Sequence, residues 1–352
     1  MRSFEGIVLN QSPERDGVNV YIDFRASENF RASIRSVFQD DIELTYAEDA
    51  HHPPADTSAL LVAYSSASAP TSSSSPGKGV SNFLTEWATR LPKLKVIQTV
   101  SAGVDGLPFK AIPEDVSILS NAGAYSGPMA EHAFALVLAL AKRICMNCAS
   151  MKLGIFDQKI ANDELSGKTL GILGYGRVGA AAAKIGRAIG MRVIGLNRSG
   201  TGDSTPDRIY RFESLDEFLK QADVLLVAAP LNFQSRGLLD ASKFALMKPN
   251  AILVNVGRAQ IIVEDDLYEH LKKNPNFRAG LDVWWDEPRG GAPFRPAKDF
   301  LSLPNVLGSP HNSGVVSGMF EKVALVAAKN LNGYLTGGQF TNLVDRNDYR
   351  LD

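Results

Sequence analysis

Short apolar runs alternate with amphipathic stretches along almost the whole chain. Val18 to Phe24, Leu60 to Tyr64, Val96 to Val100, Leu170 to Leu173, Val193 to Leu196, Val224 to Ala228 and Ile252 to Val256 read as strands. Ser214 to Gln221 and Asp265 to Lys273 carry helical periodicity between them. Strand and helix in alternation predict a parallel α/β sheet. Met129 to Met151 predicts one long apolar helix, and Ser65 to Gly79, rich in Ser, Pro and Gly, predicts a surface loop. Long repeats are absent, which sets solenoids and propellers aside.

At 352 residues the chain exceeds what one core usually organises, so two domains are expected. Lys and Arg number 37 against 38 Asp and Glu, a net charge of -1, without the basic excess of a nucleic-acid binder. The run Ala133 to Ala141 is too short to span a bilayer, and Met1-Arg2-Ser3-Phe4-Glu5 opens no secretory signal. Two cysteines make no disulfide scaffold. A soluble, cytoplasmic protein without membrane or nucleic-acid partner is expected.

Leu170 to Gly179, reading LGILGYGRVG, is a strand followed by GxGxxG, with a helix over Ala180 to Ile189 and another strand after it. That context turns a weak motif into a dinucleotide fingerprint. Gly174 permits the tight turn, Gly176 lets the backbone approach a diphosphate, and Gly179 lets the helix pack on the sheet. Tyr175, Arg177 and Val178 fill the loop, and the diphosphate belongs on the helix N-terminus. An NAD site places an acid about 20 residues further on. Here Asn197-Arg198-Ser199 stands instead, and no acid occurs from Leu165 to Gly202. A basic turn suits a 2′-phosphate, so NADP(H) is favoured and NAD(H) is the alternative.

Three further loops follow strand-like runs: Asn255-Val256-Gly257-Arg258-Ala259, Gly280 to Pro288 reading GLDVWWDEP, and Leu307 to Gly314 reading LGSPHNSG. Open α/β sheets build their sites at such strand ends. A planar carboxylate beside a carbonyl suits an arginine fork, and protonating the alkoxide formed by hydride addition suits a histidine backed by a carboxylate.

With Val100 to Asp105, Asn121-Ala122-Gly123 and Ala130-Glu131-His132 added, these motifs resemble the D-isomer-specific 2-hydroxyacid dehydrogenases from about Leu60 to Gly338. The resemblance implies two Rossmann/flavodoxin-like lobes with parallel sheets and an active site in the cleft between them. The substrate lobe would be residues 1–122, completed by 312–352, and the cofactor lobe 123–311. His311 would be the general acid/base and Glu287 its partner, holding it protonated. Arg258 would bind the substrate carboxylate, helped by the backbone of Ala102, Gly103 and Val104. Asp282 would lie near the nicotinamide, with Ala229, Pro230, Val256, Gly257, Ser313 and Gly314 also lining the cofactor. The expected reaction is reduction of a small 2-oxo acid, such as glyoxylate or hydroxypyruvate, by a homodimer joined through the Met129 to Met151 helix. Rivals are an NAD-dependent dehydrogenase of D-lactate, D-glycerate or 3-phosphoglycerate, and a corepressor-like dinucleotide sensor. Ala259 and Asn312-Ser313-Gly314 depart from the commoner family pattern without removing a catalytic side chain.

Blander readings cover the remaining candidates. His132 in its apolar helix is expected to be packed or capping. His51-His52 before Pro53-Pro54 belong to a loop, and Cys145 and Cys148 are helical neighbours, so no metal site is expected. Of Trp284 and Trp285, one is expected in the core and one beside the substrate.

Overall fold

The computed structural model describes residues 17–63, 80–288 and 292–349. The expected loop Ser65 to Gly79 lies outside them. The chain divides into two compact units. One gathers the residues up to Ala124 and those from Val316 on; the other contains Tyr125–Pro288 and Pro293–Val315.

In the first unit the strands are β1 (Val18–Ile22), β2 (Ile42–Tyr46), β3 (Ala59–Val62), β4 (Val96–Thr99) and β5 (Ser117–Leu119), with helices α1 (Glu28–Arg35) and α2 (Val80–Arg90). They form a parallel sheet in the order β2-β1-β3-β4-β5. Leu60, Val62 and Ile97 from the central strands join Leu84, Ala88 and Ile112 in one core. Asn121 ties the C-terminal part of the chain to this unit, donating from Nδ2 to the carbonyls of Val100 at 2.9 Å and Val323 at 2.8 Å.

The second unit opens with α3 (Ser126–Ala141) and α4 (Ile144–Lys152). Next come β6 (Thr169–Leu173), α5 (Arg177–Ala188), β7 (Arg192–Leu196), β8 (Arg208–Tyr210), α6 (Leu215–Gln221) and β9 (Val224–Val227). The short α7 (Ala241–Phe244), β10 (Ile252–Asn255), α8 (Glu264–Lys273), β11 (Arg278–Leu281) and β12 (Val306–Gly308) complete it, and α9 (Met319–Leu335) belongs to the first unit. The strands make a seven-stranded parallel sheet, β12-β11-β10-β9-β6-β7-β8. Its two faces are covered by separate cores, one built on α3 and α5, the other on Phe218, Phe244, Phe277 and Phe300. Sequence order reverses between β6 and β9, the crevice where doubly wound sheets bind ligands. The two parallel-sheet α/β units agree with the expected fold class.

One expectation needs correction, the single helix over Met129 to Met151. The second unit begins at Tyr125 and ends at Val315. Asp282 binds the amides of Asn312 and Ser313 and so keeps this stretch with the second unit. The apolar stretch Met129 to Met151 is two helices, bent by 56°. Arg143 at the break is left-handed, with φ 52°. Lys142 Nζ and Arg143 Nε donate to the carbonyls of Asp163 (2.7 Å) and Ala161 (3.2 Å), so the returning chain redirects the helix. Among the described residues no single helix is long and apolar enough to cross a membrane.

Candidate active site

The glycine turn joins β6 to α5. Gly174 has φ 92°, and a Cβ there would stand 2.3 Å from the Ala229 nitrogen, so only glycine fits. A Cβ on Gly257 would likewise lie 2.7 Å from the Ala229 carbonyl oxygen, so the loops after β6, β9 and β10 press together. At Gly176 a Cβ would meet no protein atom within 4 Å, and no side chain caps α5. Bare backbone at the start of a helix that no side chain caps fits a dinucleotide diphosphate, an anion that the helix dipole favours there.

Tyr175 points the other way. Its ring is buried against Gly195, its hydroxyl donates to Asp203 at 2.6 Å, and its N–H donates to the Leu196 carbonyl at 2.9 Å. Burial and the Asp203 carboxylate push its phenol up. The side chain of Tyr175 thus braces the turn beneath.

After β7, Asn197 is also internal. Its Nδ2 donates to the carbonyls of Tyr175 (2.9 Å) and Thr201 (2.8 Å), and its Oδ1 accepts from the Gly200 N–H at 2.7 Å. The turn it shapes exposes Arg198 and Ser199. Arg211, unremarked in the sequence, reaches the same turn from beyond β8, donating from Nε to the Ser199 carbonyl at 3.2 Å. Only a fold could bring these two arginines to one corner.

At the other side of the sheet, β10, β11 and β12 end side by side. Buried Asn255 closes the loop of Arg258, accepting from the Gly257 N–H at 3.0 Å and donating to the Arg258 carbonyl at 3.0 Å. Arg258 Nη1 donates to the Gly257 carbonyl at 2.9 Å. His311 has φ 52°, a strained conformation for a residue with a Cβ. Its Nδ1 lies 2.8 Å from Glu287 Oε2, and Glu287 Oε1 accepts the Trp284 N–H at 3.1 Å. Burial alone would raise the Glu287 carboxyl, but His311, the Trp284 N–H and the Arg258 charge together hold it below the usual range. An ionised Glu287 only accepts, so Nδ1 of His311 carries a proton and Nε2 is left to act.

Asp282 is wholly buried. It accepts from the Ser309 hydroxyl at 2.6 Å and from the N–H groups of Asn312 and Ser313, both at 3.1 Å. Burial would raise its carboxyl; these donors hold it low. His132 joins the network, with Nε2 2.8 Å from Ser309 Oγ and 3.5 Å from Asp282 Oδ1. A separation of 177 residues from Ser309 hid that contact from any motif.

Trp284 belongs to the core and the partly buried Trp285 packs against it, their indoles donating to the carbonyls of Ser309 and Ile262 at 2.9 Å each. Gly314 packs near Tyr125, and Pro230 accepts from the Ser235 hydroxyl at 2.7 Å. In the first unit, Ala102, Gly103 and Val104 form the loop after β4. Thr99 and Ser101 shape it by donating to the carbonyls of Ser101 (2.8 Å) and Gly103 (3.1 Å). No cluster of three or more His, Cys, Asp or Glu suited to a metal occurs among the described residues. Cys145 and Cys148 are free and exposed on α4.

Residues 134–313 match the family model for the NAD binding domain of the D-isomer specific 2-hydroxyacid dehydrogenases. The chain is 30% identical over 267 residues, 73% of its length, to a glyoxylate reductase of Aeropyrum pernix, and covers 78% of that protein. It is 34% identical over 256 residues, 72% of its length, to a D-3-phosphoglycerate dehydrogenase of Methanocaldococcus jannaschii, covering 48% of that protein. A solved structure of a D-isomer specific 2-hydroxyacid dehydrogenase family protein from Aeromonas salmonicida superposes with a TM-score of 0.75 at 25% identity, covering 94% of this chain and 99% of that one.

Proposed function

The chain belongs to the D-isomer specific 2-hydroxyacid dehydrogenase family of NAD(P)-dependent oxidoreductases, and from that premise we propose that it reduces a small 2-oxo acid of the glyoxylate or hydroxypyruvate type with NADPH. The observation that carries this reading is the Glu287–His311 pair beside Arg258. The bound nicotinamide would supply the hydride. His311, its Nδ1 proton engaged by Glu287, gives the Nε2 proton to the oxygen of the reduced carbonyl, and takes it back in the reverse direction. The Arg258 guanidinium pairs with the substrate carboxylate, and the backbone of Ala102, Gly103 and Val104 is read as substrate-binding. Gly174, Gly176, Arg177, Val178 and Gly179 cradle the diphosphate, with Ala229, Pro230, Val256, Gly257, Ser313 and Gly314 along the remainder. Arg198 and Arg211 take the 2′-phosphate, which favours NADPH over NADH.

A homodimer is part of the proposal. Helix α4 buries none of its residues, and Ile144, Met151, Leu153, Ile155 and Phe156 are all exposed around it. So much apolar surface in one stretch calls for cover, here a second copy of the chain. Phe156→Glu should shift the sedimentation coefficient towards the monomer; an unchanged monomeric wild type would discard the idea.

The activity is tested by loss of absorbance at the reduced-nicotinamide band, with NADPH and NADH in parallel, against glyoxylate, hydroxypyruvate, pyruvate and a bulky 2-oxo acid. Turnover of a small acid with NADPH preferred supports the proposal. Oxidation of 3-phosphoglycerate with NAD+ as hydride acceptor, read as a gain of the same absorbance and suggested by the 34% identical relative, would replace it.

A further inference from the structure

Ser309 has one hydroxyl proton, and the buried carboxylate of Asp282, 2.6 Å away, is an acceptor that draws it. His132 Nε2, 2.8 Å from the same oxygen, must then donate to it, which settles the protonated nitrogen of that ring. Asp282 in turn grips the N–H groups of Asn312 and Ser313, the two residues directly after His311. Before His311, the Ser309 carbonyl accepts from the Trp284 indole at 2.9 Å. The strained φ of 52° at His311 is therefore clamped from both sides of the chain, while Glu287 orients its ring.

We propose that His132 is a positioning residue of the acid/base site, acting through Ser309 and Asp282 to hold the backbone that fixes His311. Its Nε2–H satisfies the Ser309 oxygen, so that the Ser309 hydroxyl keeps donating to Asp282 and the carboxylate stays aimed at the two amides. Without this donor, the Ser309 hydroxyl is free to rotate, and the Asp282 clamp loosens. The part of this role that concerns turnover rests on the function proposed for His311; the part that concerns the backbone does not.

The test combines hydrogen exchange in the cofactor-free protein with steady-state kinetics. Exchange is followed by mass spectrometry in peptides spanning 306–315, for wild type, His132→Ala, His132→Gln and Ser309→Ala. His132→Ala and Ser309→Ala should each speed exchange at Asn312 and Ser313 about tenfold, the loss of one buried hydrogen bond. Each should lower kcat by a similar factor with KM for both substrates within about twofold. His132→Gln, whose amide N–H can still donate to Ser309, should restore both readouts to within about threefold of wild type. Wild-type exchange in His132→Ala, or a glutamine variant as impaired as the alanine one, would overturn the proposal. If the wild type turns over no 2-oxo acid, the proposed activity fails while the exchange result still decides the clamp.

Discussion

At the β10–β12 side of the seven-stranded sheet, Asn255, Asp282, Glu287, Ser309 and His311 each hold or are held by a named neighbour at 3.1 Å or less. At the β6–β7 side, Arg198 and Ser199 lie exposed on their turn, and Arg211 Nε donates to the Ser199 carbonyl at 3.2 Å. Both groups stand at strand carboxyl ends of one sheet. The contrast matches two different demands. Proton transfer needs a donor fixed to within a fraction of an ångström, so the surroundings of His311 are over-determined even at the cost of a strained φ. Recognising a phosphate needs positive charge presented to solvent, which the exposed turn of Arg198 supplies.

The sharpest way to break this contrast is at the fixed side. His311→Gln should lower kcat by about 10³-fold, with the NADPH dissociation constant measured by fluorescence unchanged. Near-normal turnover would remove His311 from the acid/base role. Arg258→Lys keeps the charge but loses the fork, and kcat/KM for the 2-oxo acid should fall about 10²-fold. A loss below threefold would mean that a point charge suffices there.

At the exposed side the effect should be smaller and selective. Arg198→Ala and Arg211→Ala should each raise KM for NADPH about tenfold and that for NADH less than about twofold. Equal losses for both cofactors would refute the assignment of the 2′-phosphate to this corner.

The smallest effect expected concerns stability. Glu287 is depressed in the folded protein, its donors outweighing burial. Its contribution is therefore complete above the ordinary glutamate pKa, about 4.3, and fades as pH falls through the folded value. Urea denaturation should show wild type more stable than Glu287→Gln near neutrality, with the gap closing on acidification below about pH 4. A gap that widens with acid would contradict the pairing.

Much of this arrangement was legible in the amino-acid order. The central strands are plain apolar runs, and GYGRVG, Arg258, Glu287 and His311 announce themselves by motif. Edge strands were not. The two ends of the five-stranded sheet, β2 and β5, and the outermost β8 of the larger sheet are half-exposed or only three residues long, and so carry no continuous apolar run. The break between α3 and α4 is tertiary, made by Lys142 and Arg143 reaching carbonyls some 20 residues on. His132 and Arg211 share that reason, since neither is near its partner in sequence. Tyr175 and Asn197 were assigned to the cofactor for their place in a motif, yet their side chains hold the turns from within.

The division of labour along the sheet is tested most directly by a double-mutant cycle between Arg198→Ala and His311→Gln, with kcat and KM for NADPH measured in all four proteins. The kcat loss should follow His311 alone, the KM rise should follow Arg198 alone, and the double variant should show both without coupling beyond about 0.5 kcal/mol. A kcat loss in Arg198→Ala, or strong coupling in the double variant, would mean that recognition and proton transfer are one device.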